Sequence, residues 1–531
     1  MNGKKMKRRE FLGFSAIGGI GMFAAGRRII SAAEISAPVE IEEATIATLQ
    51  SAMRSGRLTS EAITTWYLAR IRAIDPKINS IIELDPDAIA NARKSDRDRR
   101  AKRILGPLHG IPVLLKDNID TADKMKTTAG SLALADAPTP ARDAFIVSQL
   151  RAAGAIILGK TNLSEWANFR SNPSISGWSG RGGQTRNPYL LDRNPCGSSS
   201  GSGAAISANL AAIAIGTETD GSIVCPSSIC GIVGLKPTIG LVSRSGIIPI
   251  AISQDTAGPM TRSVADAAAV LTVISGIDAA DPAMRDKREL IDYTAYLNPD
   301  GLRGARIGVA RDLWGKRIEV DAITDKALET IRKAGAELVD VRFPDAGKLG
   351  DAEFTVLQYE FKDGLERYLR ERGSRHKTLD DLVRFNNENR DRELRYFGQN
   401  IMEESARKGP LSDKAYLDAL EMCKRYSRTE GIGKVMDENK LDAIFAPANS
   451  PTWMIDTVNG DCFGADVSSS TLPAVAGYPN ITVPAGFVRE LPVGISFFGR
   501  AWSESTLIKF AYAFEQLTKA RRKPRFLATF R

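Results

Sequence analysis

The run from Cys196 to Thr238, CGSSSGSGAAISANLAAIAIGTETDGSIVCPSSICGIVGLKPT, concentrates serine, glycine and alanine and carries almost no bulky or charged side chains. Glycine lets a backbone approach something closely or take a positive φ, and a serine hydroxyl can donate, accept or attack. The interleaved Ile206, Leu210, Ile213 and Ile215 separate this run from a flexible Gly/Ser linker, which needs no apolar residues. Three chemistries compete for it. A phosphate cradle is disfavoured because Gly197–Gly203 lacks the Gly-Lys-Ser/Thr ending that supplies charge and metal contact. A nucleophile elbow matches formally at Gly197-Ser198-Ser199-Ser200-Gly201, yet that motif needs a preceding strand and a later histidine. Here a polar, Pro-broken loop, Asn187–Pro195, precedes it, and His376, the sole histidine downstream, lies in a charged segment. The third chemistry pairs serines with a lysine held neutral by burial.

Lys116 is the candidate amine. It ends Ile111-Pro-Val-Leu-Leu-Lys-Asp117, a short apolar run of the kind that forms a strand buried on both faces. Lowering a lysine pKa from about 10.4 towards 7 costs about 4–5 kcal/mol, and a buried strand end can impose that. The competing reading is an ion pair between Lys116 and its neighbour Asp117.

Further strands are expected at 155–158, 211–215, 306–309, 338–342, 442–445, 481–483 and 493–498. Helices are expected at 46–54, from Thr59 to an end at Asp75-Pro76, at 86–100, 144–152, 264–274, 321–333 and 505–517. Strands alternating with helices imply an α/β fold with a mixed, mostly parallel central sheet wrapped by helices. Residues 350–440 are charged and lack strand signals, which reads as a helical insertion near the site, shaping its entrance. Residues 34–531 then form one catalytic domain.

Of the net charge of +9, +6 falls in residues 1–33, so the rest carries only +3 and no basic stripe, which argues against nucleic-acid binding. That basic start, with Arg8-Arg9 ahead of the short apolar stretch Phe11–Ala25 and the small residues Ser31-Ala32-Ala33, resembles a twin-arginine export signal. The apolar stretch is short for a bilayer span, so no stable membrane anchor is expected after signal removal, and the mature chain is placed in the periplasm or secreted. Two histidines, His109 and His376, are too few for an imidazole-built zinc site. Cys196, Cys225 and Cys230 share the serine-rich run, and an exported chain permits a disulfide, but sequence does not choose the pair.

Several segments together resemble the amidase signature family: Pro195–Gly203, Thr217–Ile223, Gly231–Thr238, Asp255–Pro259 and the lysine segment His109–Asn118. Matching stretches run in order from about 43 to about 517. The resemblance implies a Ser–cis-Ser–Lys triad, with Ser222 as nucleophile, Ser198 as bridging serine after a cis Gly197–Ser198 peptide, and Lys116 as base. It implies an oxyanion hole from the main-chain N–H groups of Thr219, Asp220, Gly221 and Ser222, with Ser199 supporting the network. It implies no metal and no organic cofactor. Cys196 and Ser200 depart from the family by standing where glycine is frequent, and Cys196 is a candidate for redox sensitivity.

Segments 240–250, 478–482 and 491–497 resemble the peptide amidase branch, which removes C-terminal amides from peptides and releases ammonia. Aryl or aliphatic amides, or glutamine in a tRNA-dependent amidotransferase complex, are the alternatives within the family. A periplasmic solute-binding protein is the non-enzymatic alternative; it would account for export and the α/β pattern but not for Lys116, Ser198 and Ser222 together.

Overall fold

The computed structural model describes residues 40–284, 290–314, 317–462 and 467–530; the expected export signal at 1–33 lies outside them. Its centre is a sheet of β1 (Ile81–Leu84), β2 (Pro112–Lys116), β3 (Ile156–Thr161), β4 (Ile213–Glu218), β5 (Val233–Lys236), β6 (Thr256–Thr261), β7 (Arg306–Ala310), β8 (Glu337–Val341), β9 (Ala443–Pro447), β10 (Asn480–Val488) and β11 (Leu491–Phe498). The strand order is β1-β3-β2-β4-β6-β5-β10-β11-β9-β7-β8.

The α/β class holds, but the sheet is not mostly parallel. β2 pairs in parallel with β3 and β4, and β7 with β8 and β9. The whole middle, from β4 through β6, β5, β10 and β11 to β9, is antiparallel, as is the edge pair β1–β3. The difference comes from β5 and β6, whose glycines hide a strand pattern. Gly258 in β6 is needed because a Cβ there would lie 2.0 Å from the Leu235 carbonyl oxygen. A two-residue connection then makes β10 and β11 a hairpin, which a parallel pair cannot be.

Strands β2, β4, β9 and β11 are buried along their whole length. Their apolar side chains share one core with helices Val264–Ile274, Ile318–Lys333 and Glu504–Thr518, through Leu271, Ile331, Phe510 and Phe514. Thr59 caps the helix Ser60–Ile78 by accepting from Ala62 N. That helix runs through Asp75-Pro76 rather than ending there. It closes when Asn79, in left-handed conformation, donates to the Asp75 carbonyl, and the Asp75 carboxylate takes the N–H groups of Ser80 and Ile81.

Between β8 and β9 the chain is helical. Leu349–Glu371, Leu379–Glu388 and Asn400–Ala406 bury Phe361, Leu365, Leu382 and Met402 against Ala129, Trp166, Ile248 and Ile250. This packing brings the first of these helices against the segment that follows β2, where Tyr368 donates to Asp120.

Candidate functional site

Lys116 ends β2 with no solvent exposure. Its Nζ has three oxygen partners: Ser198 Oγ at 2.7 Å, Thr217 Oγ1 at 2.8 Å and the Thr217 carbonyl at 3.2 Å. This surround suits both protonation states. An ammonium can donate to all three oxygens, whereas a neutral amine donates twice to Thr217 and turns its lone pair to Ser198. Burial pulls the amine down to about 7, while the negative charges of Asp255 and Glu218 act in the opposite direction. Asp117 is turned elsewhere, with its carboxylate on the Thr128 hydroxyl and 3.6 Å from Arg181, so the ion pair with Lys116 does not form.

Ser198 follows a cis Gly197–Ser198 peptide. Its carbonyl accepts from Ser164 N at 3.1 Å, and a Cβ on Gly197 would fall 2.2 Å from Ser164 Oγ. The helix Ser200–Ser207 that follows is wholly buried, and its composition now has a steric reason. A Cβ on Gly201 would lie 2.3 Å from the Ser80 carbonyl oxygen, and one on Gly203 3.1 Å from that of Pro226. Small residues let this helix press against neighbouring backbone and deliver the serines to the ends of β2 and β4.

The second serine cluster begins where β4 ends. Glu218 Oε2 accepts from Ile223 N and Val224 N, which folds the chain back over Thr219–Ser222. Gly221 takes φ +76° at the crest of this turn, a left-handed position natural to glycine. Thr219 donates to Asp255 at 2.6 Å, and Asp220 accepts from Thr471 at 2.8 Å. Burial raises both carboxyls, Asp255 to about 6.

Two links join the serine clusters. Ser199 N donates to the Ser222 carbonyl at 3.1 Å, and a disulfide connects Cys196 to Cys225. Ser199 Oγ also bridges to β4, donating to Thr217 O at 3.0 Å and accepting from Thr217 N at 3.2 Å. Among the described residues the Ser222 hydroxyl makes no hydrogen bond to Ser198; main chain and disulfide carry the connection. Ser222 is 7% exposed while Ser198 and Lys116 are fully buried, so Ser222 is the outermost of the three.

A cleft of about 1010 Å³ opens beside this point; Asn118, Thr217, Thr219 and Asp255 line it, while Lys116, Ser198 and Ser222 do not. Ile247, Ile248 and Ile250 make it apolar on one side. On another, the helix Leu349–Glu371 supplies Tyr368, which donates to Asp120 at 2.8 Å and accepts from Arg372 at 2.7 Å. The helical segment therefore contributes directly to the cleft.

Neither histidine takes part. His109 Nε2 lies 3.0 Å from the Ser95 carbonyl, and His376 stacks edge-on against Phe385. The formal nucleophile elbow thus has no imidazole. Among the described residues no three His, Cys, Asp or Glu side chains are grouped to hold a metal ion. Sequence reasoning missed Thr217, which supplies two of the three partners of Lys116, and Asn118, which donates to Thr217 Oγ1 at 3.0 Å. It also gave no task to Asp255, although it singled out the segment Asp255–Pro259.

Known proteins resemble this chain along most of its length. A family model described as amidase matches residues 62–508. The chain belongs to the amidase family. It is 41% identical over 507 residues to a probable amidase of Arabidopsis thaliana, covering 93% of this chain and 94% of that protein. It is 39% identical over 520 residues to a putative amidase of Schizosaccharomyces pombe, covering 92% of this chain and 87% of that protein. Among solved structures, the native peptide amidase from Stenotrophomonas maltophilia matches with a TM-score of 0.87 at 52% identity, over 91% of this chain and 99% of that one. The amidase signature fold and the resemblance to the peptide amidase branch are both upheld.

Proposed function

We propose that this amidase is a serine amidohydrolase in which Ser222 attacks, Ser198 relays the proton and Lys116 receives it. The observation that carries the reading is the buried Lys116 amine, held at about 7 and 2.7 Å from Ser198 Oγ. The Ser222 hydroxyl first turns to Ser198, a hydrogen bond the resting site lacks; as its Oγ bonds to the amide carbon, its proton passes to Ser198 and that of Ser198 to neutral Lys116. The main-chain N–H groups of Thr219, Asp220, Gly221 and Ser222 stabilise the oxyanion. The proton then returns to the departing nitrogen, and water hydrolyses the acyl-enzyme.

For the substrate we infer peptides ending in a carboxamide, with ammonia as the leaving product. Two things support this: the likeness to the Stenotrophomonas maltophilia peptide amidase and the size of the cleft. A cleft of about 1010 Å³ would stay mostly unfilled by free glutamine or a small aliphatic amide, whereas a short peptide can contact its apolar and polar walls together. We also read residues 1–33 as a twin-arginine signal handing the folded enzyme to the export machinery, on the Arg8-Arg9 motif and the apolar stretch after it.

Ammonia release from peptide amides, aryl amides and glutamine tests the substrate. Peptide amides should be turned over with the highest kcat/KM. Preference for glutamine would point to an amidotransferase-type activity, and tight binding of a ligand without turnover of any amide would point to a solute-binding protein. N-terminal sequencing of protein recovered from the periplasm tests the export reading.

A further inference from the structure

We infer that the Cys196–Cys225 disulfide is part of the positioning apparatus of the catalytic serines, and that reducing it lowers turnover in a chain that stays folded. The inference rests on the roles proposed above for Ser198 and Ser222. Its first support is placement. Cys196 lies two residues before Ser198 and Cys225 three residues after Ser222, and the disulfide joins them across 29 residues of sequence with 6.1 Å between their Cα atoms. The crosslink therefore spans the loop that presents one serine and the turn that presents the other.

The second support is conformational. Cys196 takes φ +59°, a left-handed position that disfavours any side chain and suits glycine. A cysteine there gives up backbone comfort and gains only what its sulfur can do. Its carbonyl accepts from Ser200 Oγ at 2.6 Å and its N–H donates to Asn194 Oδ1 at 2.8 Å, so the loop is anchored through bonds that a glycine could make equally well. What a glycine could not make is the link to Cys225.

The third is the surroundings. Both sulfur-bearing residues are buried, packed with Ile229 and partly buried Trp453. The nearby Cys230 thiol points at the Pro195 carbonyl at 3.7 Å, and burial pushes its pKa up, so it stays protonated and is a poor nucleophile for exchange with the disulfide. The pair is thus shielded from scrambling while its two ends abut the serines.

The hydrogen bond from Ser199 N to Ser222 O also ties the clusters together, and the disulfide is a second tie between them. A dithiol such as dithiothreitol supplies two electrons and two protons; the S–S bond breaks to give two cysteine thiols, and the reductant closes to its own disulfide. Closing a chain loop stabilises a protein wherever the crosslink lies, so a lower melting temperature on reduction does not discriminate. Kinetics does. Small misplacements of reacting groups lower turnover by up to about 100-fold.

The test measures kcat and KM on a peptide amide at a temperature well below both melting transitions. It compares oxidised enzyme, reduced enzyme with its thiols counted, and the double variant Cys196→Gly/Cys225→Ala, whose glycine suits the left-handed position. We expect kcat to fall by at least about tenfold with KM changed less than about twofold, and re-oxidation of the reduced wild type to restore it. If the sulfurs resist the reductant, the double variant decides; if that variant fails to fold, reduction of the folded wild type decides. Reduced or variant enzyme with kcat within twofold of the oxidised form would overturn the inference. A Ser222→Ala control separates the two questions, because residual turnover there would overturn the assigned roles of the serines instead.

Discussion

Replacing Lys116 with methionine should abolish turnover and, more tellingly, remove a pH dependence from the stability of the protein. The folded chain holds this amine at about 7, against 10.5 for the free side chain. At about 1.4 kcal/mol per unit, the native state therefore carries on the order of 4–5 kcal/mol of unfavourable free energy when Lys116 is protonated. Between pH 7 and 10.5 the unfolded chain keeps a proton that the folded chain has released, so stability rises with pH across that window. Folded Lys116 is half protonated at pH 7, and integration from pH 7 to 9 gives a rise of about 2 kcal/mol. Methionine has a similar length and no proton, though it leaves Ser198 Oγ and the Thr217 carbonyl without the amine. That loss does not change with pH. Urea unfolding of both proteins at pH 7, 8 and 9 cancels, in the difference, the titrating groups that do not interact with Lys116. The difference, wild type minus Lys116→Met, should grow by about 2 kcal/mol over this range; a flat or falling difference would refute a lowered pKa for Lys116.

Activity should follow the same group. If neutral Lys116 is the base, kcat/KM should lose about tenfold per pH unit below 7, leaving about one hundredth of its plateau at pH 5; a profile level down to pH 5 would exclude it. Asp255→Asn removes a negative charge that favours the protonated amine, so the acid limb should move to lower pH, a shift that a merely structural role would not produce. KM should change little, because the amide can keep its oxygen on the Ile250 and Ala251 N–H groups and turn its NH2 to the Thr219 hydroxyl, which can accept. Gly201→Ala gains up to about 1 kcal/mol of helix propensity. Its Cβ would meet the Ser80 and Asn162 carbonyl oxygens at 2.3 and 2.5 Å, so a net loss of about 1–3 kcal/mol is expected in urea unfolding.

Much of this molecule was readable from its residues because its signals are local. An unbroken apolar run marks β2 and hence the burial of Lys116, and periodic apolar positions mark helices such as Val264–Ile274. The antiparallel middle of the sheet was not readable. In β5 and β6 glycine is required by close backbone approach, as Gly258 is against Leu235, and proline interrupts the pattern further. The helix through Pro76 escaped because a local rule for proline was outweighed by side-chain caps from Asp75. Thr217 and Asp255 escaped for another reason. Their importance lies in contacts across 101 residues to Lys116 and 36 residues to Thr219, and no local pattern encodes such partners. The disulfide was undetermined for the same cause, since three cysteines of the serine-rich run could pair and only the folded loop brings Cys196 to Cys225.

The central claim is that Ser222 becomes acylated. Enzyme mixed with an activated ester of a short peptide, quenched in acid within the first turnovers and digested, can be mapped by mass spectrometry. The acyl mass should appear on Ser222 and be absent from Ser222→Ala. Acylation at Ser198 or Ser199 in its place, or full peptide-amide turnover by Ser222→Ala, would contradict it.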